Sequence, residues 1–171
     1  MKKNLKVMFS SDSNEWETPK WLFNALNDEF NFDLDPCASA ENALAVHYFN
    51  KYSNCLTHSW APFESVFCNP PYGRDLKKFV KKCYEEFYNG DVQNVVMLVP
   101  ARTDTKYFHD YVLNQCRIIF IKGRLKFTTN GIESGPAPFP SMICVYTRDE
   151  KILEDCKLLE YEINNGIINR G

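Results

Sequence analysis

The sequence predicts a single compact α/β domain whose mostly parallel sheet carries helices on both faces. Three observations lead there. Four apolar runs, Val66-Phe67-Cys68, Val95-Val96-Met97-Leu98-Val99, Ile118-Ile119-Phe120-Ile121 and Met142-Ile143-Cys144-Val145-Tyr146, are hydrophobic at nearly every position, as strands buried on both faces are. Segments of helical period alternate with them, the pattern of strands joined by crossover helices. The length of 171 residues suits one ordinary core and requires no second domain.

The elements follow in order. Residues 1–12 are expected to be a flexible N-terminus, residues 13–163 the folded domain, and residues 164–171 a frayed end. Glu17 to Phe30 places Trp21, Phe23, Leu26 and Phe30 at helical spacing after Thr18-Pro19, where Thr18 can cap and Pro19 suits a first helical position. Phe32 to Asp35 reads as a short strand ended by Pro36. Ala38 to Val46 reads as a helix opened near Ser39. Helices are expected at Leu76 to Tyr88 and Thr105 to Asn114, between the buried strands, and again at Lys151 to Glu162. In such a sheet ligands sit beyond the carboxyl ends of strands. Asp35-Pro36-Cys37, Asn69-Pro70-Pro71-Tyr72 and Pro100-Ala101-Arg102 all fall there.

Composition narrows the setting. Hydrophobic residues make up 44% and charged residues 25%, with neither a membrane-length apolar span nor a secretory leader, so a soluble, intracellular chain is expected. Seven cysteines without a CxxC pair fit reduced, mostly buried thiols. His47, His58 and His109, with Asp33 or Asp35, lack ligand spacing, and no metal is expected. A net charge of −2 argues mildly against a nucleic-acid partner. Local clustering argues the other way: Arg74, Lys77, Lys78, Lys81 and Lys82 form one basic group, and Lys122, Arg124 and Lys126 another. Each group is open to two readings, a solvated face or a phosphate contact.

The most specific stretch is Cys68-Asn69-Pro70-Pro71-Tyr72-Gly73. An exocyclic ring amine is a poor nucleophile because its lone pair is delocalised, and two aimed acceptors can draw that pair out of conjugation. The Asn69 side-chain oxygen is one and the Pro70 carbonyl the other. Both prolines have fixed φ, and Pro71 biases Pro70 toward an extended conformation, so the carbonyl direction is built in. Tyr72 offers a ring on which a base can stack. Asn-Pro-Pro-Tyr can also be a plain strand-ending turn. The company it keeps here favours the chemical reading.

That company is Glu15-Trp16-Glu17-Thr18-Pro19, Asp33-Leu34-Asp35-Pro36-Cys37-Ala38, Phe67 to Gly73, Val99 to Thr105, Gly123-Arg124-Leu125-Lys126-Phe127 and Ala137-Pro138-Phe139-Pro140-Ser141, in this order. From about Ser13 to Tyr146 the chain resembles the phage-type DNA N-6-adenine methyltransferase (Dam) family, within the S-adenosylmethionine-dependent amino methyltransferases that carry an Asn-Pro-Pro-Tyr motif. The resemblance implies a Rossmann-like methyltransferase fold, S-adenosyl-L-methionine as cofactor and DNA as partner. It also implies a cytoplasmic, phage- or prophage-encoded enzyme that methylates adenine N6. A base buried in a duplex must be flipped out to react. By resemblance Asn69, Pro70, Pro71 and Tyr72 are catalytic, and Trp16, Thr18, Pro19, Asp35, Pro36, Cys37, Ala38 and Asn69 border the cofactor. Tyr72, Lys77, Lys81, Arg102, Arg124, Lys126 and Phe127 are assigned to base or DNA contact, with Phe127 open between core and stacking platform. Two departures stand out: the Asp35 to Ala40 turn has small residues but no glycine, and Asn54 to Trp60 lacks the family's Asp-Gly and Asp-Trp pairs. Methylation of another planar amine (cytosine N4, RNA adenine or protein glutamine) and a silent nucleic-acid-binding module are the alternatives.

Overall fold

A computed structural model of the protein describes residues 16–168. The segments expected to be loose at residues 1–12 and 169–171 lie outside the described residues. The element order is α1 (Lys20–Phe30), β1 (Leu34–Asp35), β2 (His47–Tyr48), β3 (Ser65–Cys68), α2 (Leu76–Tyr88), β4 (Asn94–Pro100), α3 (Lys106–Tyr111), β5 (Arg117–Phe120), β6 (Thr128–Thr129), β7 (Ile132–Glu133), β8 (Ser141–Thr147) and α4 (Glu150–Asn165).

Six strands form one sheet in the order β2-β1-β3-β4-β8-β5, and β6 and β7 form a separate hairpin. The β1–β2, β1–β3 and β3–β4 pairs are parallel, while β8 runs antiparallel to both β4 and β5. Five strands therefore point one way and β8 the other, a mostly parallel Rossmann-like sheet. Every residue of β3 is buried, and all but one end residue of β4 and of β8. Successive side chains face opposite sides, so both faces must be covered. Helices α1 and α4 pack together as one cover, and α2 and α3 as the other.

Several local expectations are corrected, among them that of a strand buried on both faces at residues 118–121: β5 is the last strand of the sheet and is only partly buried, since among the described residues no strand pairs with its outer side. Ala38 to Val46 is not a helix but a run of turns leading into β2. Short polar side chains take its amides instead: the Asn42 side chain accepts from Ser39 N–H at 2.7 Å, Ser39 Oγ from Glu41 N–H at 3.3 Å, and Asp35 from Leu44 N–H at 3.2 Å. These bonds compete with the helical ladder. Thr18 makes no cap bond to α1, and Pro19 stands just before the helix with extended ψ of 135°. Helix α3 is shorter than the span Thr105 to Asn114, and α4 runs on to Asn165, where Gly166 closes it at φ 68°. The C-terminal helix thus occupies residues expected to fray.

Two more contacts fix the frame of the site. Asp33 accepts from the N–H groups of Glu64 at 3.0 Å and Ser65 at 2.9 Å, pinning the start of β3 beside β1. The Glu86 carboxylate pairs with Lys82 and accepts from Trp60 N–H at 2.9 Å, which anchors the long 49–64 connection on α2.

Candidate active site at the carboxyl edge of the sheet

Because β1, β3 and β4 are parallel, their carboxyl ends lie on one edge, and the turns after Asp35, Cys68 and Pro100 all leave from it. Leu34 pairs with Val66 and Cys68 with Met97. The first two turns touch: Cys37 Sγ lies 3.8 Å from Cys68 Sγ and 3.9 Å from Cys55 Sγ. All seven cysteines are free. Hydrogen bonding with Cys55, together with burial, raises the Cys37 thiol well above its ordinary range, and the contact with Cys37 does the same to Cys68. These thiols stay neutral and serve as packing.

Asn69, the first residue after β3, carries the most telling geometry. Its side-chain N–H₂ donates to the Trp16 carbonyl at 2.5 Å and to the Thr18 hydroxyl at 2.9 Å. A carbonyl can only accept, so the amide nitrogen must be the atom facing Trp16, and the orientation is fixed by chemistry. The other end is free. Asn69 Oδ1 is buried and has no hydrogen-bond partner among the described residues. A buried acceptor left unpaired costs roughly 1–3 kcal/mol, and such an atom calls for a donor that arrives from outside.

Tyr72 closes the same turn. Its hydroxyl donates to the Leu98 carbonyl of β4 at 3.0 Å, and burial holds the phenol protonated. Its ring meets Phe127 edge-on at 6.0 Å and Phe139 at 5.5 Å; Trp16 meets Phe127 at 5.5 Å and Phe139 at 5.2 Å. Tyr72 is 5% exposed and Phe127 1%. The four rings fill the corner beside Asn69. Pockets of about 170 Å³ (Trp21, Lys122, Arg124, Lys126) and about 260 Å³ (Phe87, Gln115, Val145) lie elsewhere, and Asn69 lines neither.

Asp35, at the end of β1, is buried, and its carboxylate accepts from Cys37 N–H at 3.3 Å and Leu44 N–H at 3.2 Å. Burial raises its pKa to about 6, with the two backbone bonds pulling the other way. A buried carboxylate with only two backbone N–H donors, beside the small residues Cys37 and Ala38, suits a ligand bearing a cation.

A family profile described as DNA N-6-adenine-methyltransferase (Dam) matches residues 6–152. The chain belongs to this family. It is 33% identical over 120 residues to a DNA N-6-adenine-methyltransferase of Escherichia phage T1, which covers 69% of this chain and 49% of that relative. It is 31% identical over 143 residues to a DNA N-6-adenine-methyltransferase of Haemophilus phage HP1 (strain HP1c1), covering 80% of each. The chain thus spans about half the length of the T1 relative and four-fifths of the HP1 relative.

The remaining residues that family resemblance singled out are distributed around this edge. Pro70 is buried and Pro71 exposed; Trp16 is half-buried, while Thr18, Pro19 and Pro36 are buried. Arg102 is exposed just past β4. Lys77 is exposed on α2, while Lys81 lies 3.4 Å from Glu85 and Lys126 3.2 Å from Glu133, pairs that are half-exposed and weak. Arg124 and Lys126 line a pocket with Trp21 and Lys122. Among the described residues no cluster of three His, Cys, Asp or Glu could hold a metal, and no helix is long and apolar enough to cross a membrane.

Sequence reasoning gave Glu17 and Phe139 no individual role and did not read the β6–β7 hairpin as an element. The hairpin had a signal: Asn130-Gly131, both at positive φ (52° and 76°), is the residue pair that two-residue hairpin turns favour. Glu17 had none, since its contacts reach 111 and 114 residues along the chain.

Proposed function

We propose that this chain transfers a methyl group from S-adenosyl-L-methionine to N6 of an adenine in DNA. The observation that carries the reading is the Asn69 side-chain oxygen at the carboxyl end of β3, buried, fixed in orientation and unpartnered among the described residues. A flipped adenine brings the missing donor. One N6 hydrogen goes to Asn69 Oδ1 and the other to the Pro70 carbonyl, which localises the lone pair on nitrogen and points it away from both acceptors. Such aimed, water-excluded groups act without reorganising during the reaction. Tyr72 presents its ring to the base. Phe127 and Phe139 now pack on that ring, so entry of a base requires their displacement together with the hairpin that follows Phe127.

The residues present fit the cofactor. The buried Asp35 carboxylate would hold its ammonium, the Thr18 hydroxyl its carboxylate, and Cys37 and Ala38 give the small surface against which it lies. When bound, the cofactor supplies the electrophilic methyl group on its sulfonium. The exposed Lys77, Lys81, Arg102, Arg124 and Lys126 contact phosphate, a sequence-independent contribution that sets register on the duplex.

The test is transfer of labelled methyl from the cofactor to DNA, followed by digestion and identification of the nucleoside. Label in N6-methyladenosine of the deoxy series is the expected result. Label in N4-methylcytosine, or only in RNA or protein, would replace the substrate assignment, and cofactor binding without transfer to any of them would refute the catalytic reading.

A further inference from the structure

The segment Trp16-Glu17-Thr18 is a strap whose residues alternate in what they hold. Trp16, through its carbonyl, and Thr18, through its hydroxyl, take the two N–H groups of the Asn69 carboxamide. Glu17 faces the other way: its carbonyl accepts from Thr128 N–H at 2.9 Å, and its carboxylate from Gly131 N–H at 3.3 Å in the hairpin turn. Thr18 is 6% exposed, so water does not compete for its hydroxyl. A helix cap is the ordinary use of a threonine before a proline, yet α1 has no side-chain cap bond. Among the described residues the one hydrogen bond of Thr18 Oγ1 is to Asn69.

We propose that Thr18 is a positioning residue for the methyl transfer: its hydroxyl oxygen, with the Trp16 carbonyl, locks the Asn69 carboxamide so that Oδ1 faces the reacting amine. The inference deepens the methyltransferase reading and rests on it for its catalytic consequence. A terminal amide torsion is soft and roughly two-fold, so an Asn held by one acceptor can swing or flip, presenting N–H₂ where an acceptor is required. Two acceptors at different angles remove that freedom. A hydroxyl has one donor and two acceptor sites, so Thr18 accepts from Asn69 and keeps its own proton to give. The strap also joins the Asn69 amide to the β6–β7 hairpin through the bonds of Glu17.

Two readouts test it. The first is hydrogen exchange of the Asn69 side-chain N–H₂ signal in nuclear magnetic resonance spectra, identified by its loss in Asn69→Ala; it needs no methyl transfer. Slow exchange is expected in the parent and in Thr18→Ser, which keeps the hydroxyl, and fast exchange in Thr18→Val, which keeps the shape. The second is kinetics at saturating cofactor: Thr18→Val lowers kcat roughly tenfold to a hundredfold with KM for DNA little changed, and Thr18→Ser restores most of it. Thr18→Ala gives the same comparison if valine unfolds the chain. Slow exchange and parental kcat in a folded Thr18→Val or Thr18→Ala protein would overturn the proposal. The expected exchange pattern in a protein that methylates nothing would uphold the positioning and refute the methyltransferase reading.

Discussion

Asp35→Asn should remove a pH-dependent weakness from the fold. The Asp35 carboxyl lies at the end of β1 with only two backbone N–H groups to stabilise its charge, and burial raises its pKa from 3.8 to about 6. At about 1.36 kcal/mol per decade of proton affinity this amounts to about 3 kcal/mol. The sign follows from which state holds the proton. Below pH 3.8 the carboxyl is neutral in both folded and unfolded chains. Between 3.8 and 6 the unfolded chain ionises while the folded one resists, so stability falls as pH rises; above 6 both are ionised and the full penalty persists. Urea unfolding of parent and Asp35→Asn from about pH 3 to about pH 8 isolates this group, because other carboxylates contribute equally to both curves. The expected difference grows by about 3 kcal/mol in favour of the asparagine variant between the acid end and pH 7, on top of a constant loss of roughly 1 kcal/mol for the N–H group that its amide nitrogen cannot satisfy. Parallel curves would refute the buried-acid account. Cofactor binding gives the converse. A ligand cation on Asp35 favours the ionised form, so affinity measured by calorimetry should weaken about tenfold for each pH unit below about 6 in the parent and stay flat in Asp35→Asn.

Three further outcomes are expected. Asn69→Ala should lower methyl transfer by about 3 kcal/mol or more, roughly a hundredfold, while calorimetry still detects cofactor; turnover within twofold of the parent would sink its role. Tyr72→Phe keeps both ring contacts and leaves the Leu98 carbonyl without its donor, so thermal unfolding should register about 1 kcal/mol with little change in turnover. Tyr72→Ala should cost several times more in stability and weaken base capture by about 1–3 kcal/mol; a steep turnover loss already in the phenylalanine variant would shift the role to the hydroxyl. Neutralising Lys77 with Lys81, or Arg124 with Lys126, should weaken DNA binding alike across sequences and flatten the salt slope by about one unit per lost contact. An unchanged slope in both would make these groups a solvated face.

By itself the sequence determined the sheet and the reacting turn. The apolar runs at Val66, Val95 and Met142 allow no exposed face, and they appear as the interior strands β3, β4 and β8. The equally apolar run at Ile118 forms β5 instead at the edge of the sheet, with Phe120 exposed, because no described strand pairs with its outer side. Asn69-Pro70-Pro71-Tyr72 is legible because proline fixes its backbone locally. Where short polar side chains rival the backbone, local pattern misleads: Ala38 to Val46 has helical composition, but Ser39, Asn42 and the distant-facing Asp35 carboxylate take its amides. Only the tertiary structure decided how the site is armed. The two acceptors that orient the Asn69 amide come from Trp16 and Thr18, 53 and 51 residues earlier. The rings that close over Tyr72, Phe127 and Phe139, arrive from far along the chain, and Asp35 is pushed upward by neighbours that bury it. Residue identity fixes which groups can donate, accept or ionise. Their direction and their distance from water depend on what the folded chain brings against them, and no local spacing encodes that.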